Sequence, residues 1–298
     1  MSRRPGIPGR LGKHTSAYLL IAPDLIFLSL FLIAPFVWVI ILSFQKGELL
    51  GPKVLIGVKN YVDLFSNPLS LKSILNTIKY TVMVIPAVFA VGMVIALLLH
   101  AVVRLRNFFR AMLFIPLLSS IVVAAIIWRY MAYPESGALA LIFGLFHFKS
   151  PNWFGDPHVV MFTILLVELW RGIPFYTVAF LAGLLSVPKE LMEASNIDGA
   201  GYFRTLWHVV FPTLKPILVF CLVMATIWAL QLFDSIYVLP RGGPFNSSST
   251  IVWSIYESIF FFGRVGRGAA MSVVLILLTA IVTFVNLKVT RFQEGNMS

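Results

Sequence analysis

Hydrophobic residues in this chain fall into long blocks separated by short polar intervals, not into the alternating or amphipathic patterns of a soluble core. Six blocks stand out, at about residues 18–44, 74–100, 109–130, 159–185, 210–239 and 269–289. Each is long enough to cross a hydrocarbon layer as a helix, which takes roughly 20 apolar residues. The first block is longer than the apolar part of a signal peptide and is followed by no convincing small-residue cleavage site. It therefore reads as a retained span, interrupted only by Asp24 and two prolines. Asp24 is expected to be structural, near the inner interface. Residues 138–148 form a shorter apolar run, which predicts an interfacial or re-entrant piece and not a seventh span. The pattern predicts an all-α polytopic membrane protein with about six transmembrane helices. Residues 1–17 form a basic tail, and residues 18–298 form one transmembrane domain.

Composition supports the membrane class and then raises the question of charge. The chain is 59% hydrophobic and 12% charged, with mean hydropathy +0.92, against about 45–50% and about 25% for soluble domains. A net charge of +11 would suit nucleic acid. However, the basic residues lie in short segments between apolar blocks, and no DNA- or RNA-reading motif accompanies them. Contact with an anionic leaflet accounts for them better, so the expected partner is the lipid bilayer and not nucleic acid. Six spans put both termini on one side. Arg3, Arg4, Arg10 and Lys13, then Arg104, Arg106 and Arg110, then Lys189 and Arg204, then Lys288 and Arg291 mark that side as cytoplasmic by their density. The longer opposite loops hold Lys46, Lys53, Lys59, Lys72, Arg129, Lys149, Arg241, Arg264 and Arg267 more sparsely. The single cysteine, Cys221, excludes an intrachain disulfide framework and is expected to be a small buried or lipid-facing side chain.

The conspicuous polar interval is 188–216, between the fourth and fifth blocks. Pro188 suits a first helical turn, and Glu190 places negative charge at the positive end of the helix dipole. Good helix formers continue to Ile197, where Asp198-Gly199 predicts a turn through positive φ. Phe203, Leu206, Trp207 and Val210 then recur at helical spacing, predicting a second short helix with one apolar face. Pro212 and Pro216 punctuate the approach to the fifth block. Two short helices outside the bilayer suit docking into a groove on another protein, or lying at the membrane interface as an amphipathic loop.

Polar residues inside spans are expensive and need partners or water. Glu168 and Arg171 are three apart, on one face of the fourth span. They read as an internal ion pair or as lining for a solute path. Gly172 and Pro174 just after them would loosen the backbone ladder, which a span tolerates where it faces protein or water. On the fifth span Trp228, Gln231, Asp234 and Tyr237 repeat every third residue, with Phe233 beside them. Flat aromatic faces with a few amide and carboxylate partners suit a sugar, which has apolar C–H faces and a rim of hydroxyls. The same stripe would also pack against another helix. The histidines show no metal-ligand spacing, and no Walker A or nucleophile-elbow sequence is present. Any ATP-driven process therefore needs its ATPase on another chain.

Glu193-Ala194-Ser195, Asp198-Gly199-Ala200, Phe211-Pro212 and Pro216 together resemble the EAA loop of permease subunits of ATP-binding cassette importers. Ser195 stands where a second alanine is usual, and Phe211 where leucine commonly precedes the proline. The resemblance covers nearly the whole chain. Ile56 to Tyr61 with Asn76-Thr77 is similar to the stretch before the second span of sugar-importer permeases of the maltose type. So are Trp170-Arg171 with Pro174-Phe175, Phe233-Asp234 with Tyr237, Gly242-Gly243-Pro244 and Thr250, and Gly266 to Ser272. The stretch around Lys59-Asn60-Tyr61 resembles one of two sister permeases, the one usually paired with a shorter-looped partner.

This resemblance implies a type I importer permease fold and a coupling loop at 188–209. The implied partners are a second homologous permease, two copies of an ATPase subunit, an extracytoplasmic solute-binding protein and a sugar-like solute. It implies no cofactor in this chain, since ATP and magnesium would be held by the ATPase. It implies alternating access, in which closure of the ATPase dimer is transmitted through the loop and a central cavity opens outward. Carried over, Glu193 would pair with a basic residue of the ATPase and Gly199 would allow the seating turn. Ala194 and Ala200 would keep the packed surfaces small. A multispanning membrane enzyme and an ATP-independent channel are the alternatives, and the solute's identity is left open.

Overall fold

The computed structural model describes residues 13–48, 51–101 and 106–292. Most of the expected basic tail, and Arg104, lie outside the described residues. The first span is one rod: α1 (Lys13–Leu28), a π-helical turn at Ser29–Ile33, and α2 (Ala34–Ser43). Its apolar, span-length part runs Tyr18–Ser43, as the sequence pattern predicts. Asp24 is exposed on it. The π-turn ends just before Pro35, with the Ala34 N–H donating to the Ser29 carbonyl. A second π-turn at Leu206–Val210 ends just before Pro212, with the Phe211 N–H donating to the Leu206 carbonyl. Proline lacks an N–H, and its ring clashes with the carbonyl four residues back; a widened turn relieves that clash without ending the helix.

A two-stranded antiparallel ribbon, β1 (Gln45–Lys46) with β2 (Val54–Leu55), leads to α3 (Lys59–Ser66) and then α4 (Pro68–Ala101). At 34 residues α4 is about 51 Å long, well beyond a hydrocarbon core of about 30 Å. Its first turns are polar and buried, with Ser70, Ser73, Asn76 and Thr77 facing protein. The third block departs from expectation. Instead of one span it forms α5 (Arg106–Leu118) and α6 (Ile121–Met131), bent by 95° at Ser119-Ser120. Pro116 lies within α5, the Ser119 hydroxyl donates to the Ile115 carbonyl at 3.0 Å, and Ser120 has an extended ψ of 137°. Beyond the bend, Arg129 donates to the Val238 and Leu239 carbonyls at 2.6 and 3.0 Å. Among the described residues there are thus five apolar helices long enough to span and one bent pair. As anticipated, the 138–148 run is only a short helix, α7 (Ala138–Leu145).

The core is built by α4, α8 (Val160–Ser186) and α11 (Phe211–Leu230). Lipid removes most of the hydrophobic drive between helices, so close backbone approach has to supply the packing. Gly92 allows it between α4 and α8, where a β-carbon would meet the Tyr176 Cβ at 3.2 Å; Gly183 does so for α8 against α11. Cys221 is fully buried in this core. Gly172 and Pro174 do not interrupt α8, which runs on to Ser186. After α11 come α12 (Asp234–Val238), α13 (Ile251–Tyr256) with a π-turn, and α14 (Val265–Phe292). Between α8 and α11 lie α9 (Lys189–Ile197) and α10 (Tyr202–Thr205).

The stretches that carry the sequence resemblance stitch one end of this bundle together. Asn60 donates to the Ser43 and Gln45 carbonyls, both at 2.8 Å, capping the end of the first rod. Gly266 lies so close to the Gln45 carbonyl that a β-carbon would collide with it. Asn76 donates to the Asn246 and Ser249 carbonyls at 3.0 Å, and the Thr77 hydroxyl accepts from the Ile251 N–H at 3.0 Å. Lys72 holds the Phe245 carbonyl at 2.6 Å, and Arg267 donates to the Ser70 hydroxyl at 2.8 Å.

Removing a buried group that satisfies two carbonyls costs about 1–3 kcal/mol for each left unpaired. Asn60→Ala should therefore lower the thermal unfolding midpoint of the purified protein by several degrees, whereas Lys59→Ala on the exposed side should not. Equal midpoints for both variants would mean that Asn60 does not hold the end of the first rod.

Candidate functional site

Two regions matter: the polar interval 188–209 and the place where the fifth block breaks. In the first, α9 ends as the sequence predicts. Gly199 has φ +72°, its N–H donates to the Asn196 carbonyl at 3.1 Å, and the Ala200 N–H donates to the Ser195 carbonyl at 3.0 Å. These two reversed bonds are the Schellman closure that a glycine in the left-handed region permits. A β-carbon on Gly199 would meet nothing within 4 Å, so within this chain backbone conformation alone demands glycine.

The predicted second short helix is corrected. α10 runs through the π-turn straight into α11, forming one continuous rod from Tyr202 to Leu230. The π-turn also splits the expected apolar face. Leu206 and Val210 are buried in the core, while Phe203 and Trp207 remain 74% and 65% exposed. Ser195, the departure from the usual alanine, is buried, and its hydroxyl meets that of Thr205 at 2.7 Å, tying α9 to α10. Glu193, Ala194 and Asp198 are exposed and Ala200 is half-buried. Leu191 and Ile197 of α9, and Tyr202 of α10 with Phe203 and Trp207, are likewise exposed.

In the second region the expected continuous stripe does not exist. The helix stops at Leu230, and Gln231 to Phe233 form a break before α12. The Leu232 carbonyl, freed there, accepts from the Thr250 hydroxyl at 2.9 Å. The break gathers most of the stripe by another route. Trp228, Gln231, Phe233 and Asp234 line one cavity of about 380 Å³ together with Glu168 and Arg171 of α8. Tyr237 is the exception: it turns away and stacks against Phe233, Tyr256 and Trp253 at centroid distances of 5.4, 5.3 and 6.4 Å.

The ion-pair reading of Glu168 and Arg171 is also corrected. Glu168 accepts a hydrogen bond from the Ser235 hydroxyl across from α12, and Arg171 and Asp234 act on it only through space. The Trp228 ring lies 4.9 Å from Phe175 and 6.1 Å from Tyr176. It also lines a smaller neighbouring cavity of about 60 Å³, together with Tyr80 and Val84. Sequence reasoning missed Ser235, Leu117 and the part Phe175 plays here. Ser235 carries no signal of its own, and Leu117, one more apolar residue near the end of α5, is unmarked in the sequence.

Residues 65–293 match the family described as binding-protein-dependent transport system inner membrane component. The chain is 34% identical to the arabinooligosaccharides transport system permease protein AraP of Bacillus subtilis (strain 168), over 95% of this chain and 91% of that protein. It is 32% identical to the sulfoquinovosyl glycerol transport system permease protein SmoG of Agrobacterium fabrum (strain C58 / ATCC 33970), over 95% and 93%. A chain of a bacterial ABC transporter involved in the import of the acidic polysaccharide alginate superposes with TM-score 0.83 at 19% identity, covering 95% of this chain and 99% of that one. On the family match and these relatives, this chain belongs to the binding-protein-dependent transport system inner membrane components, a family of membrane-embedded transport permeases.

Proposed function

We propose that this chain is one of two permeases in an ATP-driven importer that moves a sugar or related polyol by alternating access. The observation that carries the reading is the α9 turn, with exposed Glu193 and exposed apolar side chains on α9 and the start of the next rod, which runs on to the cavity. That rod, Tyr202 to Leu230, is about 43 Å long. A stiff element of this kind transmits a push at Phe203 and Trp207 to Trp228 and Gln231. An ATPase subunit docks at 188–209, with Glu193 pairing with one of its basic residues and the exposed apolar side chains filling its groove. Two such ATPase copies hold ATP and magnesium, and the second permease closes the cavity from its other side. The extracytoplasmic binding protein delivers solute at the end of the bundle stitched by Asn60 and Asn76. Neither a membrane enzyme nor an ATP-independent channel is favoured by the family relationship. Sugar as cargo rests on the relatives' names and on the aromatic and hydrogen-bonding groups that line the cavity.

On this reading both termini are cytoplasmic. In a background carrying Cys221→Ala, Arg110→Cys and Arg204→Cys should react with impermeant reagents from the cytoplasmic side and Phe245→Cys from outside. Labelling of Arg110→Cys and Phe245→Cys from one side would overturn the topology.

Coupling is tested by Glu193→Ala and Gly199→Val in the co-expressed complex. Removing one member of a desolvated charge pair costs roughly 2–5 kcal/mol; ATPase co-purification with Glu193→Ala should fall by about 30-fold or more, and an opposite-charge swap on the ATPase should restore part of it. Gly199→Val forces a branched residue to positive φ, with strain of about 1–3 kcal/mol. Uptake should be lost while insertion persists, and Gly199→Asn, which tolerates that conformation, should keep more activity. Normal uptake in both Glu193→Ala and Gly199→Val would remove the loop from the mechanism.

For the solute path, Trp228→Ala and Gln231→Ala should each reduce uptake while assembly and basal ATP hydrolysis persist. Wild-type uptake in both would assign these side chains to packing alone.

A further inference from the structure

The polar groups of the 380 Å³ cavity form an inventory that sorts solutes by charge. Its volume lies within the range of about 300–1,000 Å³ common to small-molecule pockets. On one side Phe175 and Trp228 present ring surfaces. The polar lining is Glu168, Arg171, Gln231 and Asp234, so two carboxyl groups stand against a single guanidinium and one carboxamide. A hydroxyl both donates and accepts, and it can satisfy all four of these groups. A phosphate, sulfonate or carboxylate only accepts when ionised, and it needs several convergent donors.

Here an anion drawn to Arg171 meets Glu168, three residues away on α8, and Asp234 at the start of α12. Carboxylate charge there repels it, and the other polar groups lining the cavity are the Arg171 guanidinium and the Gln231 carboxamide. Glu168 cannot easily swing aside, because the Ser235 hydroxyl pins one of its oxygens from α12. We propose that this half-site accepts uncharged polyhydroxylated rings and rejects solutes bearing an anionic group, with Glu168 and Asp234 as the selecting residues and Ser235 positioning Glu168. The proposal deepens the importer reading and rests on it. Relatives named for arabinooligosaccharides and for sulfoquinovosyl glycerol leave the choice between the two chemistries open.

The test uses the assembled permease pair with its ATPase in lipid nanodiscs, titrated with matched probes. These are glucose and glucose 6-phosphate, arabinose and arabinose 5-phosphate, and glycerol and glycerol 3-phosphate. Tryptophan fluorescence reports occupancy, and Trp228→Phe identifies the part of the signal that belongs to this cavity. At least one uncharged probe should bind at least about tenfold more tightly than its phosphate ester, a modest selectivity for a site built on charge exclusion. Glu168→Gln combined with Asp234→Asn should shrink that gap severalfold by strengthening the ester, and Ser235→Ala should shrink it partway. Equal or tighter binding of the esters, an unchanged gap in the double variant, or no Trp228-dependent signal from any probe would each overturn the proposal. ATP hydrolysis stimulated by the loaded binding protein is measured in parallel. Its presence keeps the importer reading even if the charge selection fails, and its absence sinks that reading itself.

Discussion

Every backbone N–H and carbonyl inside a bilayer has to be answered by the protein, because lipid answers none of them. That constraint governs where this chain is allowed to be irregular. The carbonyl exposed at the break in the fifth block is met by Thr250, which reaches in from the following loop. Those exposed at the end of α12 are met by Arg129 from α6. Pro35 and Pro212 are each approached through a π-turn that keeps the rod continuous. The only described breaks in spanning segments are the bend at Ser119-Ser120 and the gap at Gln231 to Phe233. Both come to one place: Leu117, just before the bend, lines the same cavity as Gln231 and Phe233. The gap itself lines that cavity, and the bend begins two residues beyond a side chain that does.

The same economy accounts for the basic residues that blur the charge asymmetry of the loops. Lys72, Arg129 and Arg267 are engaged by carbonyl or hydroxyl oxygens. They serve as long hydrogen-bond donors that close one end of the bundle. Bound in this way, they weaken loop charge as a guide to orientation. The other end has a different character. There α9 is held to the bundle by the Ser195–Thr205 hydroxyl contact, and its outward side is left to Glu193 and apolar side chains. One end is stitched by the lysine and arginine hydrogen bonds and the other leaves Glu193 and apolar side chains exposed, with a single rod running from that end to the cavity.

Much of this was legible in the sequence, and the legible parts share a cause. Apolar blocks mark spans because lipid imposes its composition on any helix that crosses it, whatever the neighbours are. The turn at Asp198-Gly199 was legible because it closes through bonds among six consecutive residues and needs only glycine's freedom at positive φ. Glu168, Arg171, Trp228, Gln231 and Asp234 stood out because polar groups are expensive in such surroundings, and they do line one cavity. Tertiary structure decided the rest. A strict helical count put Tyr237 with them, yet the break turned it to the aromatic cluster at Trp253 and Tyr256. Whether the third block ran straight or bent by 95° was not written in Pro116, Ser119 and Ser120, which are compatible with either path; α6 is instead anchored by carbonyls more than a hundred residues away. Glu168 could have closed on Arg171, three residues along its own helix, but it accepts from Ser235 across the cavity. Local bonds and the demands of the solvent can be read from sequence. The choice among long-range partners depends on which groups the finished fold brings within reach.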